Sequence, residues 1–407
     1  MKKNLQESRL HNLHVPLLLI VLFIFPLIIV PNSWPHTIII RYLIFICFII
    51  LGIILLPKNS KNINIKDVLP LGLFVFFVFL SSLFSQYPFE AWIGTIGRFT
   101  GFISYIGFIV LFFLAYNVSV MKPQNINKII SNWMFPISLI SVIGLLQYLG
   151  LNLVPFSNNI LDVSKSYSTI GNSNHLGTFL LMPLPFAVYF FFQHLNVKSV
   201  IYLILIYGTL LTTLCRGAWI GLFAGFFLWV FYYKDQKKKR LILFTLILII
   251  VTIILLPLNN WGLVNQAMSF SDEAELALEG DGEAGSGRFY IWQNATKALP
   301  DSLLLGTGPD TLVYIYPEGY KEFYSFNKAH NIYLEIAVTM GIPALIFYLW
   351  FIIAIVKRTN KQDEFHFAFY VMVMIYLVQG FFLVDVLTVY PIFWILLGFY
   401  QGLNNSS

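Results

Sequence analysis

Runs of about 20 apolar residues recur along the whole chain with only short polar breaks, and this pattern leaves few folds open. A bilayer core of roughly 30 Å takes about 20 apolar residues per helical crossing. Inside it, only helices and closed barrels can satisfy every backbone group. The runs here are continuous and do not alternate, so they predict helices. They fall near residues 15–30, 37–56, 68–84, 99–116, 128–149, 175–192, 199–215, 217–233, 241–257, 331–356, 365–383 and 386–403. An all-α polytopic membrane protein with about twelve transmembrane helices is therefore expected. Only 11% of the 407 residues are charged, against about 25% in a soluble domain, so residues 1–407 are read as one transmembrane domain.

The start, Met1-Lys2-Lys3 before an apolar stretch, has the shape of a signal peptide. Its flank, Val30-Pro31-Asn32-Ser33-Trp34, lacks the small-residue cleavage pattern, so the first run is kept as a membrane helix. Cys47 and Cys215 lie within or beside apolar runs. They offer neither a disulfide framework nor metal-ligand spacing, and both are expected to pack as small hydrophobes.

Orientation follows from where the basic residues fall, because cytoplasmic loops retain Lys and Arg. With the N-terminus inside, 17 of the 25 basic residues fall on the cytoplasmic side, including Lys2, Lys3, Arg9, Lys58, Lys61 and Lys66. Both termini are then cytoplasmic, in the cytoplasmic (inner) membrane. The net charge of +6 reports this sorting, and no nucleic-acid footprint is present. Three outer segments are long enough to carry function: 85–98, 150–174 and the large loop 258–329. The large loop holds ten acidic residues, from Asp272 to Glu322, and a glycine-rich turn at 280–287. The acidic stretch 272–283 reads as a solvated face. From Arg288 to Leu299 the spacing of Phe289, Trp292, Ala295 and Leu299 predicts a short amphipathic helix on the membrane face, stopped by Pro300.

Arginine usage is the first feature with chemical content. The cytoplasmic side holds 3 Arg and 14 Lys, the outer side 4 Arg (Arg41, Arg98, Arg216, Arg288) and 4 Lys (Lys165, Lys297, Lys321, Lys328). Arginine's planar fork matches phosphate oxygens bidentately and keeps its charge, which points to an anionic phosphate ligand arriving from the membrane. Arg216 stands between two apolar runs, where a central arginine costs about 2.5–3.5 kcal/mol on insertion scales, so a functional role is expected. Arg41, at the head of its helix, is expected to snorkel to lipid headgroups.

His330 stands where the large loop returns into a span, and an imidazole there can accept a proton near neutral pH. A plain interfacial histidine is the bland alternative. Glu90 competes as a base, with Glu335 behind it. Asn172, Asn174 and His175 at an outer helix start read either as helix caps or as a pocket wall. No Asp-x-Asp or similar carboxylate cluster stands near the arginines, so neither a metal nor a cofactor is expected.

Four motifs in order carry a resemblance. They are Thr169-Ile170-Gly171-Asn172-Ser173-Asn174-His175-Leu176-Gly177, then Cys215-Arg216-Gly217-Ala218-Trp219-Ile220-Gly221, then Gly287-Arg288-Phe289-Tyr290-Ile291-Trp292 with Pro300 and Gly306-Thr307-Gly308, then His330-Asn331-Ile332-Tyr333-Leu334 with Gly341-Ile342-Pro343. With Gly97-Arg98 and Gly101, they make residues 90–345 resemble the O-antigen ligase and Wzy-type polymerase family. Cys215 replaces that family's frequent Ser, and Asn172-Ser173-Asn174 its usual Asn-Pro-Asn.

The resemblance implies a GT-C-like, metal-independent, inverting glycosyltransferase. Such an enzyme moves a glycan from undecaprenyl pyrophosphate to a hydroxyl of a glycan or lipid acceptor at the outer face of the cytoplasmic membrane. It implies that Arg216 and Arg288, with Arg98 as a third candidate, hold the pyrophosphate and that His330 serves the acceptor hydroxyl; Asn331 is a possible pocket residue. A multi-pass transporter is the alternative, although no internal repeats or matched broken helices support it. A lipid-binding assembly subunit is a third reading, which needs the arginines but not His330.

Overall fold

The computed structural model describes residues 13–31, 33–56, 65–154, 164–315 and 328–406. Lys2, Lys3, Arg9, Lys58, Lys61, Lys321, Glu318 and Glu322, read above from the sequence, lie outside the described residues. Among the described residues the regular structure is all helical, with no strand.

The chain opens with α1 (Leu13–Leu27), α2 (Trp34–Leu55), α3 (Ile65–Leu83), the short α4 (Pro88–Trp92), α5 (Phe102–Met121) and α6 (Pro123–Tyr148). After a 3-10 turn at Ser168–Ile170 come α7 (Ser173–Leu181), α8 (Leu184–Gln193), α9 (Val197–Thr212), α10 (Arg216–Tyr233) and α11 (Lys238–Leu255). Two polar helices follow, α12 (Gly262–Glu279) and α13 (Arg288–Ser302). The apolar pattern then resumes with α14 (Ile332–Met340), α15 (Ile342–Lys357), α16 (Glu364–Gln379) and α17 (Tyr390–Ser406).

Local chemistry sets many of these boundaries. Proline stands in the first turn of α2 and α6, where a missing N–H costs nothing. Asn196 and Ser199 form a capping box on α9, and the Asp363 carboxylate caps α16. The break between the seventh and eighth apolar runs falls at residues 213–215, so Arg216 is the first residue of α10. Pro300 does not end α13, which runs on to Ser302. A proline in the last turn removes few remaining helical bonds, so the helix survives it.

Among the described residues, five helical segments are long and apolar enough to cross a membrane: Trp34–Leu55, Phe102–Met121, Pro123–Tyr148, Ser173–Gln193 and Glu364–Phe382. Their burial sorts them into layers. The Ser173–Gln193 window is 94% buried within the protein and the Trp34–Leu55 window 39%, so α7 and α8 run through the centre while α2 lies at the periphery. Leu43, Ile50, Leu51, Ile53 and Ile54 of α2 and Ile249, Ile250, Ile253 and Ile254 of α11 point outward. An apolar surface of that kind is stable only against lipid. Cys47 shares this outward face and is exposed, contrary to the packing role expected for it, whereas Cys215 is buried. α17 is also deeply enclosed, with Ile392, Phe393, Trp394, Ile395, Leu396 and Leu397 fully buried. It packs along α5, where Ser119 donates to the Phe399 carbonyl at 2.8 Å and the Trp394 ring meets Phe112 edge-on.

Arg41 corrects another expectation. Its side chain does not reach toward headgroups but is fully buried. Nε donates to Ile28 O at 3.0 Å, Nη2 to Ile28 O at 2.7 Å and Thr169 O at 2.8 Å, and Nη1 to Thr388 Oγ1 at 3.0 Å. Carbonyls at the end of α1 and in the Ser168–Ile170 turn have no helical partner, and a guanidinium with five donors serves several at once.

Candidate active site

Four separated segments bring the candidate residues together, and each is bent by a residue in the left-handed region. Phe99 (φ 54°) follows Arg98, Leu214 (φ 52°) precedes the Cys215-Arg216 pair, Ser286 (φ 60°) precedes Gly287-Arg288, and His330 itself has φ 50°. Non-glycine residues adopt this conformation at a cost, and such strain clusters at functional sites.

His330 is held from both sides. The preceding Ala329 donates its N–H to Glu335 Oε2 at 2.7 Å, and its carbonyl accepts from Trp292 Nε1 at 2.9 Å. The following Asn331 caps α14, its Oδ1 accepting the N–H groups of Tyr333 at 3.0 Å and Leu334 at 3.1 Å. Beneath lies a buried ionic cluster. Lys328 Nζ pairs with Asp310 Oδ1 at 2.7 Å and Glu335 Oε1 at 3.0 Å, and donates to Thr100 Oγ1 at 3.0 Å. The other Asp310 oxygen accepts from Thr95 N at 2.7 Å, Thr95 Oγ1 at 3.2 Å and Thr100 N at 3.3 Å. One carboxylate thus ties the loop that carries Arg98 to the segment that carries His330. Burial pulls the Lys328 pKa down, but Asp310 and Glu335 more than reverse this and leave it raised. The turn that delivers Asp310 is pressed onto α14: Gly308 N donates to Thr339 O at 2.8 Å, and Gly306 has φ 67°. A Cβ on Gly306 would lie 2.2 Å from the Thr339 carbonyl carbon, so only glycine fits.

Electrostatic interactions link the candidate residues. Burial, and then the charges of Arg288 and Arg98, lower the His330 pKa to about 3. Arg98 and His330 both act electrostatically on His175. Arg288 in turn feels Cys215, Arg216 and Glu273, with burial the largest effect and the net shift downward. Arg98, His175, His330, Arg288 and Arg216 therefore form one continuous electrostatic set.

Arg216 is engaged within the protein. Nη1 pairs with Glu273 Oε1 at 2.6 Å and Nη2 donates to Ser286 Oγ at 2.7 Å. Glu273 Oε2 also accepts from the N–H groups of Gly285 and Ser286, which pins the glycine-rich turn. Glu273 was expected to be solvated, yet it ties α12 to the arginines. Its local stretch is polar, but the turn folds back over it. Among the described residues, no carboxylate pairs with Arg288.

Two cavities adjoin these groups. One, of about 280 Å³, has Arg216, Arg288 and Glu273 on its wall, with Ile220, Phe270, Phe289, Trp292 and Phe382 making the rest largely apolar. The other, of about 420 Å³, has Arg98, His175, Asn172, Trp34 and Thr388 on its wall. Asn172 also caps α7, its Oδ1 accepting from Asn174 N at 2.9 Å and His175 N at 3.2 Å, so the capping and pocket-wall readings hold together. Asn174 is exposed and is not among the residues of either wall. Glu90 is not among the charges acting on His330, and its Oε1 accepts from Tyr314 OH at 2.7 Å. Glu335 is engaged with Lys328 and Ala329 N.

The charged partners Glu273, Asp310 and Lys328 were not singled out from the sequence. The one local signal for Asp310 is its place after Gly306-Thr307-Gly308-Pro309, a turn sequence that positions a side chain.

Apolar helices and lipid-facing flanks define an integral membrane protein, in which Arg98 and Arg288 act electrostatically on His330. The sequence model of the O-antigen ligase family matches residues 201–349. The matched stretch holds Arg216, Glu273, Arg288, Asp310, Lys328 and His330, whereas Arg98 and His175 precede it. No curated protein matches the chain.

Proposed function

We propose that the protein is a GT-C-like glycan polymerase or ligase of the cytoplasmic membrane that takes its glycan from undecaprenyl pyrophosphate. The twelve apolar segments cross the bilayer with both termini in the cytoplasm, and residues 258–329 form the outer loop. The observation that carries this reading is the pair of guanidinium groups, Arg98 and Arg288, acting on one imidazole, His330. Such an arrangement suits a reaction that builds negative charge beside a hydroxyl losing a proton.

In the proposed step the acceptor hydroxyl oxygen attacks the anomeric carbon opposite the pyrophosphate, which inverts its configuration. The new C–O bond forms as the bond from that carbon to the phosphate oxygen breaks, and undecaprenyl pyrophosphate leaves. The hydroxyl proton passes to His330 and from it to the pyrophosphate. Arg288 and Arg98 stabilise the leaving group by fixed charge, so no metal is required. Arg216 contributes from beside Arg288 once its fork turns from Glu273 to phosphate. With two cations acting on it, His330 is a poor base on its own. A bound pyrophosphate cancels those charges and raises its basicity, so proton acceptance is coupled to donor binding. Glu335 and Glu90, engaged elsewhere, are weaker candidates for the base.

The test is turnover of a polyprenyl-pyrophosphate-linked oligosaccharide by purified protein with excess chelator. Release of undecaprenyl pyrophosphate and a longer or transferred glycan is the expected result. No product from folded protein would end this reading. Deletion in cells then separates the two activities: accumulation of single lipid-linked units marks a polymerase and accumulation of long chains a ligase.

A further inference from the structure

The two cavities differ in chemistry, and His330 is in electrostatic reach of a wall residue of each: Arg288 of the smaller and Arg98 of the larger. The smaller one joins guanidinium groups to an apolar wall, which suits a prenyl chain and its phosphates. The larger one has apolar residues too (Pro35, Ile38, Ile96, Val386 and Leu387), but a more polar wall than the smaller. Its wall offers an indole (Trp34), an amide (Asn172), an imidazole (His175), a guanidinium (Arg98) and a hydroxyl (Thr388). An aromatic face among several hydrogen-bonding groups is the combination that recognises a sugar, whose ring has an apolar face and a polar rim.

Trp34 is also built in place. It is the first residue of α2, and the Arg41 guanidinium stands over its ring at 5.7 Å. That guanidinium reaches Thr388, on the same wall, and the carbonyl of Thr169. Gly171, at φ 84°, lets the next turn close on the indole, since a Cβ there would lie 1.9 Å from the ring. The buried arginine thus fixes three sides of this cavity: the start of α2, the turn before α7 and the segment before α17.

We infer that the cavity between Trp34, Arg98 and His175 is the acceptor subsite, which binds a carbohydrate with Trp34 as its stacking platform. This rests on the glycosyl-transfer reading above.

The experiment uses full-length protein in detergent. The acceptor probe is the oligosaccharide released by mild acid from the source cell's lipid-linked glycan, and the donor probe is the intact lipid-linked glycan. Trp34→Ala is expected to weaken calorimetric binding of the free oligosaccharide and to raise its KM about fivefold to tenfold, with donor KM unmoved. Trp34→Phe keeps an aromatic face and is expected to stay within about twofold of the parent on the same scale. Should Trp34→Ala fail to fold, Ile38→Phe narrows the same cavity and is expected to raise the same KM. An unchanged acceptor KM in folded variants overturns the assignment, as does a rise in donor KM alone. If the oligosaccharide binds in a Trp34-dependent way but no transfer occurs, the subsite stands and the transfer reading falls. If transfer proceeds and acceptor binding ignores Trp34, the reverse holds.

Discussion

Asp310 and Lys328 meet at 2.7 Å with their side chains 0% and 5% exposed. This pair is the joint between the Arg98 loop and the residue two positions before His330. Removing one member of a buried ion pair leaves a charge without compensation, at a cost of about 3–5 kcal/mol. Asp310→Asn is therefore expected to lower the melting temperature in detergent sharply. Lys328→Met is expected to cost more than Asp310→Asn, because Lys328 also pairs with Glu335 and its loss strands two carboxylates. A Lys328→Met variant as stable as the parent would show that the ionic cluster is not the source of the effect.

Arg288→Lys keeps the charge but loses the bidentate fork. Under the proposed mechanism it is expected to cost about 10²- to 10³-fold in kcat, with thermal stability close to that of the parent. Arg216→Lys and Arg98→Lys are expected to fall in the same direction. Full turnover by both Arg216→Lys and Arg288→Lys would refute the pyrophosphate clamp.

The His330 pKa of about 3 makes a stability prediction with a definite sign. The unfolded histidine takes up a proton below about 6.5, while the folded one does not until near 3. Acidification through that window therefore favours the unfolded state. His330→Gln is expected to lose less melting temperature between pH 7 and pH 5 than the parent. Equal losses would mean that His330 is not held neutral.

Donor binding should shift the same group upward. The acid limb of kcat is then expected at a higher pH than the titration of His330 in donor-free protein, and His330→Ala is expected to remove that limb. A pH–rate profile unchanged in His330→Ala would exclude it as the base.

Arg41→Met is expected to destabilise the protein by about 2–4 kcal/mol through carbonyls left without a donor. Loss of stability in thermal melts, with the donor KM of the surviving folded fraction near normal, is the expected pattern. A melting temperature equal to the parent's would mean that water replaces the guanidinium.

Much of this protein is legible locally. Apolar runs announced the helices because burial in lipid is decided within about 20 consecutive residues. Asn172 and Asn331 could be placed at helix starts because capping acts over two or three residues. The outer-side excess of arginine pointed to Arg98, Arg216 and Arg288 because loop charge is sorted segment by segment. Pro300 and Cys47 were misjudged where a neighbour, not the residue, decides: the remaining turn of α13 and the peripheral place of α2.

The chain by itself determined that it is a bundle of apolar membrane helices. Only the tertiary structure decided which charges meet. Arg41 finds Thr388 across 347 positions and Asp310 finds Thr95 across 215. Neither pairing has a local signature, because an ion or hydrogen-bond partner is selected by distance in space after the helices pack. For that reason Arg41 became a structural pin, Arg216 an ion-pair partner of Glu273, and Arg98 and Arg288 the electrostatic neighbours of His330.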